Sequence, residues 1–508
     1  MASIFVALVI SYVTAHSALS ARIVGFTSMS SGSHYLLTKT ILEELASRGH
    51  EVVMVISSDH IHSISSEKIP HKVYQVPFER GYLEDMIAKT AVKESMFKLF
   101  SKVTEYAQTN WDSLLKSREL IEDLRNADLI VYEGIAFSAI LVSELHKIPR
   151  VAVFPGIPRP GGFLMFPSPV SYVPMSLTGF TSKMSFLQRV MNLGAYFAFN
   201  AVFHFTTVRP LATLKAKYNI TPETNIQEAL NKDELVIVSS DFALDYPQPL
   251  LPDCESQILV GPITVKKHKP LPAELESYVS SGTDGFIIVS FGSYMETLTS
   301  KDKIDVMATA FGKLKQKVLW KLKDHTPTSL SANIRIVKWL PQNDLLAHKE
   351  IRAFDTSLFE SGYHGVPMVA IPLFADQFVN AKKAVDFGLA LSLNLETLSS
   401  KLLKETIEQV VYEPSFKKSA SRISKLMQDK PRSPLETTGD WLEYVLRHRG
   451  AQHLRAQVFN IPWYQYYLLD VIAFLVSAIT VVVMVIWMTC RCFCRLCCKS
   501  TAKKSKHD

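Results

Sequence analysis

Residues 334–377 read IRIVKWLPQNDLLAHKEIRAFDTSLFESGYHGVPMVAIPLFADQ. The runs Ile334–Val337, Ile351–Phe354 and Met368–Ile371 are apolar, rich in β-branched residues and too short for buried helices. Pro341, Gly365 and Pro367 punctuate them, and the segments between carry helical spacing. Short apolar runs alternating with helical segments predict a parallel sheet covered on both faces. Working upstream, Phe286–Ser290 and Val318–Lys321 extend the same alternation. Near the start, Ile23–Thr27, a helix through Leu36-Leu37, Ile41-Leu42, Leu45 and Ala46, a closing Gly49 and the strand Glu51–Ile56 form a βαβ unit. Met86–Leu124 reads as mainly helical, and Leu129–Tyr132 and Val151–Phe154 as buried strands. The Pro-rich stretch 245–252 separates two α/β halves, 21–245 and 246–430, and Ile258–Pro262 is expected to open the second. A helical segment is expected over 431–465. Residues 155–210, rich in Pro, Phe and Met, show no clear period; such a stretch suits an acceptor pocket or ordinary packing.

At 508 residues the chain exceeds one compact core, and 47% hydrophobic with 20% charged residues is a globular composition. The formal net charge is +7, but six basic residues and one acid after Cys490 supply five of it, leaving +2 on the rest. No basic stripe points to nucleic acid. Five of six cysteines crowd into 490–498, so Cys254 has no partner for a disulfide within the body. In a juxtamembrane tail they read as acylation sites, as metal ligands or as plain reduced thiols.

Residues 1–20 have an apolar centre, Ile4–Ile10, followed by small residues, the pattern of a signal peptide cleaved at 18–21; a buried first strand is the alternative. Residues 471–489 are apolar and uncharged. At ~1.5 Å per residue they span about 28 Å, close to the hydrocarbon thickness of a bilayer. Trp463, Tyr464, Tyr466 and Tyr467 precede this transmembrane helix, and Arg491 and Arg495 follow it. The positive-inside rule puts the tail 490–508 in the cytosol and the body in the lumen, a type I topology. Lys506 and Lys504 stand at positions −3 and −5, counted with Asp508 as −1, resembling a dilysine signal for the endoplasmic reticulum. Asn219-Ile220-Thr221 is the only N-glycosylation sequon, with Pro222 behind it.

Four segments of the second half bear on chemistry. Ser290–Ser293 is a Gly-Ser turn after a strand, able to offer Ser293 and backbone N–H groups to a phosphate, although such turns are common. Trp339 is a flat ring beside the Gln342 amide, suited to stacking and edge-reading of a pyrimidine; a core tryptophan is the plainer reading. Glu360 sits early in a helix, placed to hold ribose hydroxyls or to close a capping box with Ser357. Asp376-Gln377 is a carboxylate–amide pair able to bind sugar hydroxyls, or a solvated loop pair.

In this order the segments resemble the signature of the UDP-glycosyltransferase family, which includes the UDP-glucuronosyltransferases. The resemblance runs from Gly32-Ser33-His34 through 166–172, 245–249, Trp339–His348 and Glu360–Ala381 to 441–454, the apolar helix and the lysine tail. It implies a GT-B fold: two Rossmann-like domains facing a cleft, the first binding acceptor and the second UDP-sugar, plus one C-terminal transmembrane helix. It implies inversion at the anomeric carbon, with the UDP-sugar as co-substrate and neither metal nor cofactor. Ser293 and the Ser357 region would meet diphosphate, Trp339 and Gln342 the uracil, Glu360 the ribose, Asp376 and Gln377 the donor sugar. His34 would be the base, oriented by Glu133 in place of the commoner aspartate. An imidazole suits that task at neutral pH.

One segment departs. The family reads roughly Phe-x-Thr-His-Gly-Gly-x-Asn-Ser-x-x-Glu, whereas this chain reads Phe354-Asp355-Thr356-Ser357-Leu358-Phe359-Glu360. Five residues are absent, including the His-Gly-Gly that cradles diphosphate, while both flanks match. The departure bears on activity rather than ancestry. Two functions follow: transfer of glucuronate or glucose to a hydroxyl of a small lipophilic acceptor, or an impaired relative acting as a membrane-bound partner in a homo- or hetero-oligomer.

Overall fold

The computed structural model describes residues 20–28, 32–63, 69–93, 96–158, 169–175, 178–250, 256–291, 300–322, 326–354, 357–373, 376–454 and 461–504. The signal-peptide reading falls almost wholly outside these residues. The chain forms two compact units, Met1–Arg455 and Ala456–Asp508.

The first unit holds two wholly parallel sheets. One comprises β1 (Arg22–Phe26), β2 (Glu51–Ser57), β3 (His71–Tyr74), β4 (Leu129–Glu133), β5 (Arg150–Phe154), β6 (Leu235–Val238) and β7 (Ser256–Leu259), in the order β3-β2-β1-β4-β5-β6-β7. The other comprises β8 (Phe286–Val289), β9 (Lys317–Lys321), β10 (Ile334–Val337), β11 (Ile351–Phe354), β12 (Met368–Ala370) and β13 (Ala390–Ser392), in the order β10-β9-β8-β11-β12-β13. Each order reverses once, between β1 and β4 and between β8 and β11. Such reversals open a crevice at the strands' carboxyl ends, where ligands of doubly wound sheets bind. The strands are apolar on both faces because helices cover both; Leu129, Ile130 and Val131, for example, are all buried. Gly25 lets the Gly32–Ser47 helix lie close on β1, since a Cβ there would come within 2.5 Å of Leu42 Cδ1.

Two sequence expectations are corrected. Ile258 and Leu259 do not open the second half: β7 pairs with β6 and closes the first sheet. The helix Pro434–His448 does not simply lead onward from the second half. It packs against the Gly32–Ser47 helix, and Leu442 and Val445 join the core of Ile23 and Leu42. Arg48 Nη1 donates to Asp440 Oδ1 at 2.9 Å across that contact. Strands β3, β6 and β13 were not foreseen.

A buried cation centres the first domain. Arg150, 1% exposed, donates from Nε to Asp233 Oδ1 at 2.5 Å and from Nη1 to Ser143 Oγ at 3.0 Å and Glu144 Oε1 at 3.3 Å. Tyr132 Oη donates to the other Asp233 oxygen. Burial opposes the charge on Arg150, but Asp233 and Glu144 overcome it and raise its pKa.

In the second unit the helix Leu469–Lys504 carries a 25-residue apolar segment, Leu469–Phe493, whose most apolar 18-residue window has mean hydropathy 2.8. It is long and apolar enough to cross a membrane.

Candidate functional site

The two sheet reversals place the candidate residues. His34 lies in the first turn of the helix that follows β1, and Glu133 ends β4, so the two flank the first reversal. His34 Nδ1 lies 3.2 Å from Glu133 Oε1, an ion-pair contact off the line of an aligned hydrogen bond. Glu133 is 1% exposed, so its carboxylate acts in a medium that screens little. Its other oxygen accepts a hydrogen bond from Ser28 Oγ at 2.5 Å. Ser28 was missed in the sequence. The available signal was its place just beyond β1, the same strand end that supplies His34.

Burial disfavours the His34 imidazolium, but Glu133, and more weakly Asp376, more than offset it and raise the pKa above the ordinary value. The Asp376 contribution joins the domains, because Asp376 begins the helix Gln377–Asp386 of the second one. It is exposed, makes no side-chain cap to its own helix, and accepts from Asn380 Nδ2 at 2.9 Å. Gln377 turns back and accepts from Leu373 N at 2.8 Å. The pair starts a helix, and the Asp376 carboxylate is close enough to bear on the charge of His34.

On the other side, Trp339 is 70% exposed and is no core tryptophan. Gln342 opens the helix Gln342–Leu346 and donates its amide to Glu360 Oε2. Burial lifts the Glu360 carboxyl above the usual carboxylate range, with hydrogen bonds from Gln342 and Ser357 opposing. Ser357 precedes the helix Leu358–His364 but makes no side-chain cap to it, so the capping box is not formed. Trp339 and Gln342 follow β10, and Ser357 and Glu360 follow β11; the two strands are not neighbours, and the Gln342–Glu360 bond joins the segments. His364 at that helix's end is a structural histidine: its Nε2 lies 3.0 Å from Asn343 Oδ1, and burial, with His268 adding, pushes its pKa down to about 4.

The connection between β11 and its helix is three residues, 355–357. Asp355 and Thr356, and the whole 292–299 turn with Ser293, lie outside the described residues. Strand β11 is itself irregular, with a register shift between Ile351 and Ala353 and one paired position on β12, Phe354 with Met368.

The domains are clamped beside the crevice. Lys383 Nζ lies 2.8 Å from Asp245 Oδ1, both buried, and Tyr246 Oη donates to Asp386 Oδ2 at 2.6 Å. These bonds tie the Asp245-Tyr246 stretch, which lies between β6 and β7 of the first sheet, to the Gln377–Asp386 helix. Among the described residues no cluster of acidic, His or Cys side chains is arranged for a metal.

The family model described as "UDP-glucoronosyl and UDP-glucosyl transferase" matches residues 26–505. Human UDP-glucuronosyltransferase 2B15 is 33% identical over 503 residues, 93% of each chain. UDP-glucuronosyltransferase 2C1 of Oryctolagus cuniculus is 33% identical over 502 residues, 93% of this chain and 99% of that one. Among solved structures, the calicheamicin glycosyltransferase CalG4 superposes with TM-score 0.58 at 19% identity, over 84% of this chain and 99% of that one. Glycosyltransferase VinC, solved in complex with dTDP, gives TM-score 0.58 at 17% identity, over 84% and 100%. The two parallel sheets with their facing strand ends are thus a GT-B fold, and the chain belongs to the UDP-glycosyltransferase family.

Proposed function

We propose that the chain transfers a sugar, glucuronate or glucose, from UDP to a hydroxyl of a small lipophilic acceptor, with His34 as general base. The observation that carries this is the 3.2 Å contact between His34 Nδ1 and the buried Glu133 carboxylate. With Nδ1 committed to Glu133, Nε2 takes the acceptor proton. The acceptor oxygen then forms a bond to the anomeric carbon as the bond to the UDP oxygen breaks, and configuration inverts. Glu133, held by Ser28, fixes the ring and stabilises the imidazolium. Asp376 and Gln377 hold the donor sugar, Trp339 and Gln342 the uracil, and Glu360 the ribose; Ser293 and Ser357 meet the diphosphate.

The three-residue connection favours a second reading, an impaired transferase that partners active relatives. A diphosphate placed in a crevice needs several donors, because an unpaired buried charge costs several kcal/mol. A shortened loop offers fewer. Transfer from radiolabelled UDP-glucuronate and UDP-glucose to a panel of phenols and sterols separates the readings. His34-dependent product supports the first; none from either donor overturns it.

The setting proposed is the endoplasmic reticulum membrane, with a lumenal, Asn219-glycosylated body and the Lys504/Lys506 tail in the cytosol. Protease added to sealed microsomes should then remove only the tail; digestion of the body would reverse this topology.

A further inference from the structure

The chain leaves the first sheet at Leu259 and enters the second at Phe286, so residues 260–272, ahead of the helix Ala273–Ser280, link the two domains. This linker is fastened along the Gln342–Leu346 helix. Asn343 gives both ends of its amide to one residue: Oδ1 accepts from Lys266 N at 3.2 Å, and Nδ2 donates to Lys266 O at 2.9 Å. Asp344 Oδ1 accepts from Lys269 N at 2.9 Å and from Asn343 Nδ2 at 3.3 Å. Side chains of two consecutive residues thus take up linker backbone groups as a neighbouring strand would.

The pairing also orients the amide. Lys266 N can only donate and Lys266 O only accept, so the Asn343 oxygen and nitrogen are distinguished. The oxygen therefore accepts from His364 Nε2, 3.0 Å away, and the ring proton sits on that nitrogen. His364 stands four residues after Glu360, on the same side of the helix Leu358–His364. Adjacent residues thus hold both: Gln342 bonds to Glu360, and Asn343 to His364. One polar chain runs from the groups assigned to uracil and ribose, through Asn343, to the backbone of the linker. Lys266 Nζ reaches on to Glu43 Oε2 at 3.4 Å, on the helix that carries His34. That ion pair is exposed and contributes little, so the backbone pairing carries the link.

The helix Gln342–Leu346 has five residues and no side-chain cap at its start. A helix this short does not hold itself; it takes its position from what it is fastened to. We propose that Asn343 is a positioning residue that couples nucleotide binding to the interdomain linker, acting through Gln342 and Glu360 rather than on substrate. The proposal rests on the reading that those two groups seat the nucleotide. UDP seated there stabilises the short helix, and the bonds of Lys266 and Lys269 to it open less often. Without Asn343 the seat remains, but binding no longer reaches the linker.

The test is amide hydrogen exchange of the full chain in detergent micelles, read by mass spectrometry with and without UDP. At UDP about ten times its dissociation constant, exchange in 263–272 should slow about tenfold, the factor by which ligand suppresses an opening that releases it. Slowing in 342–346 and 358–364 reports that UDP is seated. In Asn343→Ala, with UDP scaled to that variant's own dissociation constant, the slowing in 342–346 and 358–364 should persist while that in 263–272 falls below about twofold. Asn343→Asp, which keeps the acceptor for Lys266 N and His364, should retain most of the linker's response and guards against misfolding of the alanine variant. Lys266→Ala removes only the exposed ion pair and should leave the response intact. A linker response that survives in Asn343→Ala, or is lost in Lys266→Ala, overturns the proposal. So does a linker that ignores UDP while 342–346 and 358–364 respond. No response in any of these segments at millimolar UDP overturns the nucleotide reading of Gln342 and Glu360, and the proposal with it.

Discussion

Gln342 donates its side-chain amide to the carboxylate of Glu360, so the two groups proposed to read uracil and ribose are joined to each other. The Glu360 carboxylate must be ionised to accept hydroxyl protons. Burial raises the Glu360 pKa while Gln342 and Ser357 oppose the rise. UDP affinity should therefore fall as pH drops through a range above that of ordinary carboxylates. Gln342→Ala, removing one opposing bond, should move the fall to higher pH. Calorimetric titration across pH reads both, and an affinity flat down to ordinary carboxylate pH would remove Glu360 from the ribose role.

The same elevation has a consequence for stability. A carboxyl whose folded pKa lies above its unfolded one stabilises the fold when protonated, and that contribution is lost as pH rises through the folded value. At neutral pH Glu360 is thus a cost. Glu360→Gln should raise the unfolding temperature at pH 7 and weaken nucleotide binding, an exchange typical of functional sites. Differential scanning fluorimetry with and without UDP checks the pair of effects.

His34→Ala should lower transfer by ~10²–10⁴-fold with UDP affinity nearly unchanged, since the base serves the acceptor. Because the His34 pKa is raised, the rate should increase with pH through a limb above the ordinary imidazole value. Asp376→Asn removes one raising charge and should shift that limb to lower pH, besides weakening the donor sugar. Ser28→Ala, which frees the Glu133 carboxylate, should lower kcat more than it raises KM. A pH profile of kcat/KM for the three variants tests these together, and an unmoved limb in Asp376→Asn would break the proposed link across the crevice.

For the shortened loop, we expect UDP binding at least ~100-fold weaker than in a relative with the full segment, about 2.7 kcal/mol. Replacing Asp355–Ser357 with Ile-Thr-His-Gly-Gly-Leu-Asn-Ser should restore binding and transfer together. Micromolar affinity in the unaltered chain would show that the remaining donors suffice.

Arg150→Met leaves the buried Asp233 without its cation and Glu144 with Lys232, 3.6 Å away, as its remaining one. Breaking one side of a buried ion pair costs about 3–5 kcal/mol, so the urea midpoint should fall sharply. Tyr132→Phe, removing one hydrogen bond to the Asp233 carboxylate, should cost about 1.5–3 kcal/mol. Equal losses in the two variants would mean that Arg150 is not what balances the cluster.

Much of this was legible in the sequence because parallel strands covered on both faces are written as short apolar runs; β1, β2, β4, β5 and the β8–β12 series were read within a residue or two of their ends. Strand β7 was misassigned because nothing local in Ser256–Leu259 says which sheet it will join. Its partner, β6, is the strand just before it in the chain and was itself unread. The Asp376–His34 relationship was invisible for a related reason: each residue could be singled out on its own strand end, but their coupling depends on how two domains meet. The sequence also offered Trp339 as core or platform, and its exposure excludes the core.

The return of the Pro434–His448 helix to the first domain has a mechanical consequence. The chain crosses between the domains twice, outward between β7 and β8 and back before residue 434. A body joined by one thread can swivel about it in any direction; one joined by two is restricted to folding about the line through both. Substrate entry and product exit should therefore follow a single opening angle. Any shortened form ending before residue 434 would lose the second thread and strip Leu442 and Val445 from a core they help to close.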